Sequence, residues 1–229
     1  MESRRKRPVR TKSGRQPEGL AVADIIAATL ALARREGFTR LSMRQIAARL
    51  GVSATALYYH FKNKNQLLSR IAGHIMESIT IPDRELLWTE RLRQLVLSQQ
   101  RMLLAYPGLA RFMVHHRESA GALRWIEMNL EVLHDAGFRD RSLTGALAIL
   151  SFFVHPLTLV DDHPRPGAVQ MYHGRRLASL LKNEPARYPH LQLLLPVMAD
   201  ASYEAYLPVA LDGVIAGIAA LERPGKPRR

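Results

Sequence analysis

The chain of 229 residues is 47% hydrophobic and contains no cysteine. This length and apolar content suffice for a folded core, and the lack of cysteine excludes disulfide bridges and thiolate metal sites. No continuous apolar run is long enough to span a bilayer, so the sequence predicts no membrane association. The cytoplasm is the expected compartment, because a cysteine-free chain fits a reducing environment.

The formal net charge of +13 is concentrated in the first third of the chain. Residues 1–70 hold 15 Lys and Arg against 4 Asp and Glu, whereas residues 71–229 hold 18 against 16. This segregation predicts a polyanion-binding module attached to a nearly neutral body, and solubility alone, the alternative, does not require it. Residues 1–16 are basic and poor in apolar side chains, which predicts a disordered arm, and residues 223–229 form a basic tail.

Helix signals follow the arm in close succession. The first helical pattern ends in basic residues before Gly37, a glycine cap. Ser42 and Gln45 have the spacing of a capping box that opens a helix of two turns. Ser53 is the predicted N-cap of a second short helix that continues through His60. Two short helices joined by a glycine turn predict a helix-turn-helix.

The second short helix carries small residues followed by aromatic and basic ones, over the range Ala54–His60 and the lysines after it. Val52 and Leu57 are expected to face inward, so most of the other side chains must face outward. Small residues allow close approach to the floor of a major groove, and the tyrosines, the histidine, Lys62 and Lys64 can reach phosphates. The alternative is that the two tyrosines cover the side of a helical core.

From about Leu20 to Ile79, the sequence resembles the DNA-binding domain of the tetracycline-repressor (TetR) family through LSMRQIAARLGVSATALYYHFKNKNQLL. The string L-Y-x-H-F-x-N-K is highly specific to that family. The resemblance implies a three-helix DNA-binding domain, a linking fourth helix, an all-helical core, and a homodimer that releases operator DNA on binding a small molecule. It also implies base or backbone contact by Arg44. It implies base-edge reading by Ala54, Thr55 and Ala56, and phosphate contacts by Tyr58, Tyr59, His60 and Lys64.

The rest of the chain is predicted to be all-α. Asn63 followed by Gln66 predicts the N-cap of a longer helix. Apolar residues at helical spacing mark segments at residues 90–104, 121–134, 143–160 and 202–221. Breaks fall at Pro82 and at residues 106–108, 135–138, 161–167 and 184–189.

This second part resembles the tetracycline-repressor effector domain more loosely, through HDAGF, ALAILSFFVH and EAYLPVALDGVIAGI. The resemblance implies that residues 143–160 and 202–221 pack with those of a partner into a four-helix dimer interface. Their apolar content supports this, and packing of one of these helices within the monomer is the alternative. The apolar residues concerned are Leu147, Leu150, Phe153, Val154, Leu207, Val209, Leu211, Val214, Ile215 and Ile218.

A small-molecule site is expected in this body. His155 lies in an apolar run that matches the family segment near the effector pocket, although a lone histidine of this kind is also compatible with a core role. The candidate effector-binding residues are Phe112, Met113, His116, Trp125, Met128, Phe152 and His155. The family's tetracycline and magnesium ligands are not recognisable here, so the sequence predicts neither that drug, nor a metal, nor a cofactor.

The expected architecture is all-α: an N-terminal three-helix helix-turn-helix domain joined by a linking helix to an all-helical effector-binding and dimerisation domain. The predicted boundaries are residues 1–16 for the arm, 17–63 for the DNA-binding domain, 64–222 for the effector domain and 223–229 for the tail. The predicted function is a homodimeric, ligand-responsive repressor of a palindromic operator. A sequence-nonspecific DNA-compacting protein is the alternative. An all-α enzyme is disfavoured, because the sequence has no phosphate loop, nucleophile elbow or H-E-x-x-H helix.

Overall fold

The computed structural model describes residues 20–154, 174–181, 187–198 and 203–221. These residues form helices and no β-strand, which confirms the predicted all-α class. The helices are α1 Val22–Glu36, α2 Met43–Leu50, α3 Ala54–Tyr58, α4 Lys64–Glu77, α5 Trp88–Ala105, α6 Leu109–His115, α7 Ala120–Asp135, α8 Asp140–Val154, α9 Gly174–Leu181, α10 Pro189–Met198 and α11 Tyr203–Ala219. The predicted basic arm, the candidate His155, the break at residues 161–167 and the basic tail lie outside the described residues.

Helices α1–α3 form the head, and local capping sets their ends. The Ser42 hydroxyl accepts from the Gln45 N–H while the Gln45 side chain accepts from the Ser42 N–H, which is the predicted capping box. Gly51 ends α2 in the left-handed conformation at φ 69°, and its N–H bonds to α2 carbonyls. The Ser53 hydroxyl then accepts from the Ala56 N–H and starts α3. The short connection places α3 across α2 in the expected helix-turn-helix.

Helix α4 links the head to the body. Asn63 caps it as predicted, with its Oδ1 accepting from the Gln66 N–H at 2.8 Å. Small residues allow α4 to lie unusually close to α7: a Cβ built on Gly121 would be 2.8 Å from the backbone carbon of Ala72. The Ser69 hydroxyl also accepts from the Ala120 N–H, the first residue of α7. The backbones of α4 and α7 are therefore in direct contact at this point.

The body consists of α5–α11, with one apolar core continuous with that of the head. Helix α5 packs against α7 and α11, and α7 and α11 both pack against α8. Part of the predicted dimer surface is therefore buried within one chain: Leu150, Leu211 and Ile218 are each 0% exposed. The two helices thus use one face each to close their own monomer, and their packing into a four-helix dimer interface stays a prediction. The large apolar side chains left exposed on α8, α10 and α11 are Phe152, Leu193, Leu194, Val197, Tyr206 and Val209.

A buried arginine joins the start of α5 to the end of α7. The Arg91 side chain is 4% exposed and donates to Asp135 at 2.7 Å, to Glu131 at 3.3 Å and to the Pro82 carbonyl at 2.9 Å. The guanidinium holds the pKa of Asp135 below its ordinary value, chiefly through this hydrogen bond. The cluster fixes the connection that follows α4, and sequence patterns did not indicate it.

We expect Asp135→Asn to lower the free energy of unfolding by about 1 kcal/mol at neutral pH, because a buried guanidinium loses one charged acceptor and retains another. The folded-state pKa of Asp135 is depressed. The difference in free energy of unfolding between wild type and variant is therefore fully present above about pH 4 and disappears as the pH falls through the folded-state pKa. Urea unfolding at a series of pH values measures it. Asp212→Asn is the matched control, because Asp212 pairs with Arg93 on the surface, and we expect a smaller change. Equal effects of the two variants would contradict the structural role of the Arg91 cluster.

Candidate nucleic-acid interface and ligand cavity

Helix α3 presents one polar and aromatic face to solvent. Thr55 and His60 are exposed, Tyr58 is 51% exposed and Tyr59 is 86% exposed. The opposite face is closed, because Leu57 is 0% exposed in the head core. Two large rings exposed at the C-terminal end of α3 are not needed for the core, so the exposed face is available to bind a partner.

Among the small residues of α3, only Thr55 is fully outward. Ala54 is half-buried, and Ala56 is 5% exposed. The expectation that Ala56 lies on the base-reading face therefore differs from the structure, where the helical period turns this residue towards α2. Tyr59 and His60 also lie beyond the last helical residue, Tyr58, although the His60 N–H still bonds to the Leu57 carbonyl. The α3 surface is consequently Thr55, Tyr58, Tyr59 and His60, with Ala54 at its edge.

The segment that contains the α3 surface has an excess of basic side chains. Residues 20–71 contain eight Lys and Arg against two acidic residues. Arg44 is exposed in the first turn of α2, and Lys62 is exposed between α3 and α4. Lys64 is only half-exposed, and its Nζ donates to the Thr39 carbonyl at 2.9 Å. Lys64 thus fastens α4 to the α1–α2 loop in this conformation, so Lys62 is the more available cation for a polyanion.

A cavity of about 120 Å³ lies in the body between α5, α6, α7 and α8. It is almost entirely apolar, with one cation at its wall, Arg117. The structure brings two of the predicted effector residues, Met113 and Trp125, to this cavity. The described residues that line it are Leu103, Ala110, Met113, Val114, Arg117, Ala122, Trp125, Ile126 and Ser151.

The other predicted effector residues that the structure describes lie outside this cavity. Met128 is fully buried in the core and does not line the cavity. Phe112 and His116 stack on each other with ring centroids 4.5 Å apart, on the side of α6 that faces the head. Phe152 is 73% exposed and belongs to the outer face of α8. The residues missed from the sequence include small ones, Ala110 and Ala122, whose contribution is the space they leave, and no local pattern signals that space.

Polar side-chain atoms that have no hydrogen-bond partner among the described residues are buried between α5 and α7. The Asn129 side chain donates to Gln99 at 3.2 Å and to the Trp125 carbonyl at 2.7 Å. Gln99 and Asn129 are each 0% exposed, yet Gln99 Nε2, Asn129 Oδ1 and Trp125 Nε1 have no hydrogen-bond partner. These three atoms have almost no accessible surface, so they do not face the cavity. No group of three His, Cys, Asp or Glu side chains among the described residues is arranged to hold a metal ion.

Direct contacts connect the cavity wall to the head. The Phe38 ring, in the α1–α2 loop, lies 5.2 Å from that of Phe112 on α6, and the Phe38 N–H donates to the Pro107 carbonyl. Gly108 has φ 88° and packs so closely on this loop that a Cβ would lie 3.0 Å from Thr39 Oγ1. Helix α6 therefore contacts the head on one side and lines the cavity on the other.

A second hollow of about 710 Å³ lies between the α4–α5 connection, α5 and the first half of α11. It includes no residue of α6 or α7. Since these two helices make the close contacts with the head and with α4, the second hollow has no equally direct connection to the α3 surface. We therefore take the smaller cavity as the candidate effector site.

Two family profiles match the chain. The family described as "Bacterial regulatory proteins, tetR family" matches residues 25–71, and "Tetracyclin repressor-like, C-terminal domain" matches residues 81–221. The first match contains the α3 surface, and the second contains α5–α11 with the cavity.

Individual proteins agree with these profiles. The tetracycline repressor protein class A from transposon 1721 of Escherichia coli is 33% identical over 193 residues, which cover 83% of this chain and 88% of that protein. The crystal structure of a possible TetR family transcriptional regulator from Streptomyces coelicolor A3(2) superposes with a TM-score of 0.73 at 27% identity, covering 87% of this chain and 99% of that one. A TetR variant from Acinetobacter baumannii AYE, solved in complex with minocycline, superposes with a TM-score of 0.68 at 25% identity, covering 92% of this chain and 99% of that one. Among the described residues, no helix is both long and apolar enough to cross a membrane.

Proposed function

The chain belongs to the tetR family of bacterial regulatory proteins, a family of ligand-responsive, DNA-binding repressors, and from this premise we propose how its residues divide that work. The protein is a homodimeric transcriptional regulator that binds operator DNA and a small-molecule effector. The family is one of DNA-binding regulators, so we assign no catalytic role. Because the partner is genomic DNA, we place its action in the cytoplasm.

We assign operator recognition to the α3 surface. Its exposed tyrosines and surrounding cations support this role, since an outward helix of this size fits a major groove. Thr55 reads base edges, Tyr58, Tyr59, His60 and Lys62 contact phosphates, and Arg44 reaches the flanking base or backbone. Ala54 can contact only a thymine methyl at the groove floor. A homodimer then places two such surfaces in successive major grooves of a pseudo-palindrome.

The functional division of the chain falls at Asn63, between the head at residues 17–63 and the effector and dimerisation domain at residues 64–222. The cap at Asn63 supports this boundary, because α4 begins there and packs along α7 of the body. We propose that the exposed apolar residues of α8, α10 and α11 form the dimer interface. Their exposure in the monomer supports this, because a patch of this kind is covered in a stable assembly.

Binding of an effector in the cavity changes the head by two routes. Helix α6 carries Met113 and Val114 into the cavity and Phe112 against Phe38 of the head. Helix α7 carries Ala122 and Trp125 into the cavity and lies directly against α4. An effector whose contacts shift α6 or α7 therefore favours a different spacing of the heads. DNA and effector then oppose each other, because each binds a different one of the two states more tightly.

Equilibrium binding to duplex DNA from the region upstream of the protein's own gene, compared with a shuffled duplex at one salt concentration, tests the assignment of function. We expect the upstream duplex to bind at least about 10³-fold more tightly, as specific regulators do. A ratio near one would support DNA compaction without sequence preference instead.

Two substitutions distinguish base-edge contacts from phosphate contacts at and beside the α3 surface. We expect Thr55→Val to change the order of preference among operator variants, because the hydroxyl is replaced by a methyl of the same size. We expect Lys62→Gln to weaken binding to all sequences and to reduce the slope of log K against log salt by about 0.9, the value for one phosphate contact. Competition titrations over several salt concentrations measure both. Uniform weakening by Thr55→Val would remove its base-reading role.

The route through α6 is tested by Phe112→Leu. This change removes the ring that meets Phe38 but keeps an apolar side chain, so we expect the effector to reduce operator affinity about 5-fold less than in wild type, an amount typical of altered coupling. Effector affinity without DNA and operator affinity without effector are expected to stay within about threefold of wild type, which corresponds to about 0.65 kcal/mol. Phe138→Leu is the matched control, because Phe138 is as deeply buried but meets Trp88 rather than the head. If the effector lowered the operator affinity of the Phe112 variant as much as that of wild type, the route through α6 would be excluded.

A further inference from the structure

The cavity is small compared with minocycline, a molecule of several fused rings that the TetR variant from Acinetobacter baumannii AYE binds. Its volume is about 120 Å³, and an apolar protein cavity of roughly 150 Å³ binds benzene. One six-membered ring with a few substituent atoms fills such a space. A rigid molecule of several fused rings requires its walls to separate first, at the cost of the packing between α6 and α7.

The one charged side chain among the described lining residues is a hydrogen-bond donor. Arg117 is exposed at the cavity wall, and its guanidinium carries only donors. The Ser151 hydroxyl uses its hydrogen on the Leu147 carbonyl at 2.9 Å. A ligand in this cavity therefore gains most from a group that accepts hydrogen bonds.

Because Arg117 is charged, it binds an anionic acceptor more strongly than a neutral one. No described carboxylate lies within ion-pair distance of Arg117, and the nearby Glu118 is directed at His116 Nδ1, 3.8 Å away. A charge-assisted bond from a guanidinium to a carboxylate is stronger than a bond to a neutral carbonyl. The other lining side chains, apart from Ser151, are apolar and suit the faces and edges of a ring.

From this size, donor set and charge, we propose that the effector is a single-ring aromatic carboxylate. Its ring lies among the apolar residues of α5–α7, and its carboxylate accepts from Arg117. This inference rests on the proposed function, because it gives the ligand class of the effector site.

The test uses benzoate and phenylacetate as probes, benzamide as the uncharged isostere of benzoate, and minocycline as a multi-ring comparison. Thermal unfolding and operator release are measured for the full-length dimer. We expect both carboxylates to raise the melting temperature and release operator DNA, and benzamide to need at least about tenfold higher concentration, the effect of about 1.4 kcal/mol. Equal action by benzamide, no response to either carboxylate, or release by minocycline alone would each overturn the inference.

Variants locate the binding. Arg117→Gln is expected to bring benzoate and benzamide within threefold of each other, and Ala122→Leu, which fills the cavity, to abolish the response to benzoate. Arg101→Gln is the matched control, because Arg101 lines only the second hollow, and it should behave as wild type. Loss of the benzoate response in the Arg101 variant, with the Arg117 variant unaffected, would place the ligand in the second hollow and overturn the inference. Operator affinity without any ligand is measured in the same variants, so failure of the DNA-binding function is detected separately from failure of the ligand class.

Discussion

Thr55→Glu is expected to lower operator affinity at least about 100-fold, a loss of about 2.8 kcal/mol, while the protein remains folded. Thr55 is exposed in the first turn of α3, where an acidic residue is compatible with the helix dipole. On DNA, the same carboxylate would face base edges and phosphates, and both the lost contact and the repulsion oppose binding. Fluorescence anisotropy with a labelled operator measures the affinity, and thermal unfolding confirms the fold.

The control for Thr55→Glu adds the same charge far from the α3 surface. Thr80 is an exposed threonine in the connection between α4 and α5, so Thr80→Glu changes the net charge equally. We expect its operator affinity to remain within about threefold of wild type, because exposed charges beyond a Debye length of roughly 10 Å are largely screened. Similar losses in both variants would show that net charge, and not the α3 surface, determines DNA affinity.

Gly121→Val is expected to lower the free energy of unfolding by about 3 kcal/mol, the upper range for overpacking a core. A Cβ at this position meets the Ala72 Cβ at 2.6 Å and the Ala72 carbonyl oxygen at 3.0 Å, so α4 and α7 must separate. Because a neighbouring backbone cannot move aside like a flexible side chain, the change also alters the position of the head. Thermal unfolding at one fixed protein concentration measures the loss, since the stability of a dimer depends on concentration.

Gly145→Ala is the control for the close α4–α7 contact. The nearest atom to a Cβ at Gly145 is Leu221 Cδ1 at 3.7 Å, an ordinary contact. Alanine in a helix interior is favoured over glycine by roughly 0.5 to 1 kcal/mol, so this variant should be as stable as wild type or slightly more so. A Gly121 variant with unchanged stability would mean that α4 and α7 are not held together as the structure has them.

Local sequence signals predicted the head well, because its geometry is set within a few residues. The caps at Ser42, Ser53 and Asn63 each involve a side chain and a backbone group three residues apart, and all three are present. The burial of Ala56 was not predicted, because the direction in which a five-residue helix faces depends on the helices it packs against. The internal bond of Lys64 to Thr39 spans 25 positions and has no local signature.

The cavity was only partly predictable, since an empty space is a property of packing between elements. Met113 and Trp125 were identified because large apolar residues are commonly found at ligand sites. Ala122 was not predicted to line the cavity, because a small residue in a helix usually has no special role. The division of α8 and α11 into a buried and an exposed face was likewise undetermined, as with Leu150 and Phe152, because both faces are apolar in sequence.

Selection from a library of random duplex DNA by the wild-type dimer tests the central claim most directly. We expect enrichment of one inverted repeat whose half-sites lie about one helical turn apart, or a near multiple, and no such enrichment by Thr55→Glu. Recovery of wild-type-bound DNA without any enriched sequence, or the same enriched repeat with Thr55→Glu, would contradict operator recognition by the α3 surface.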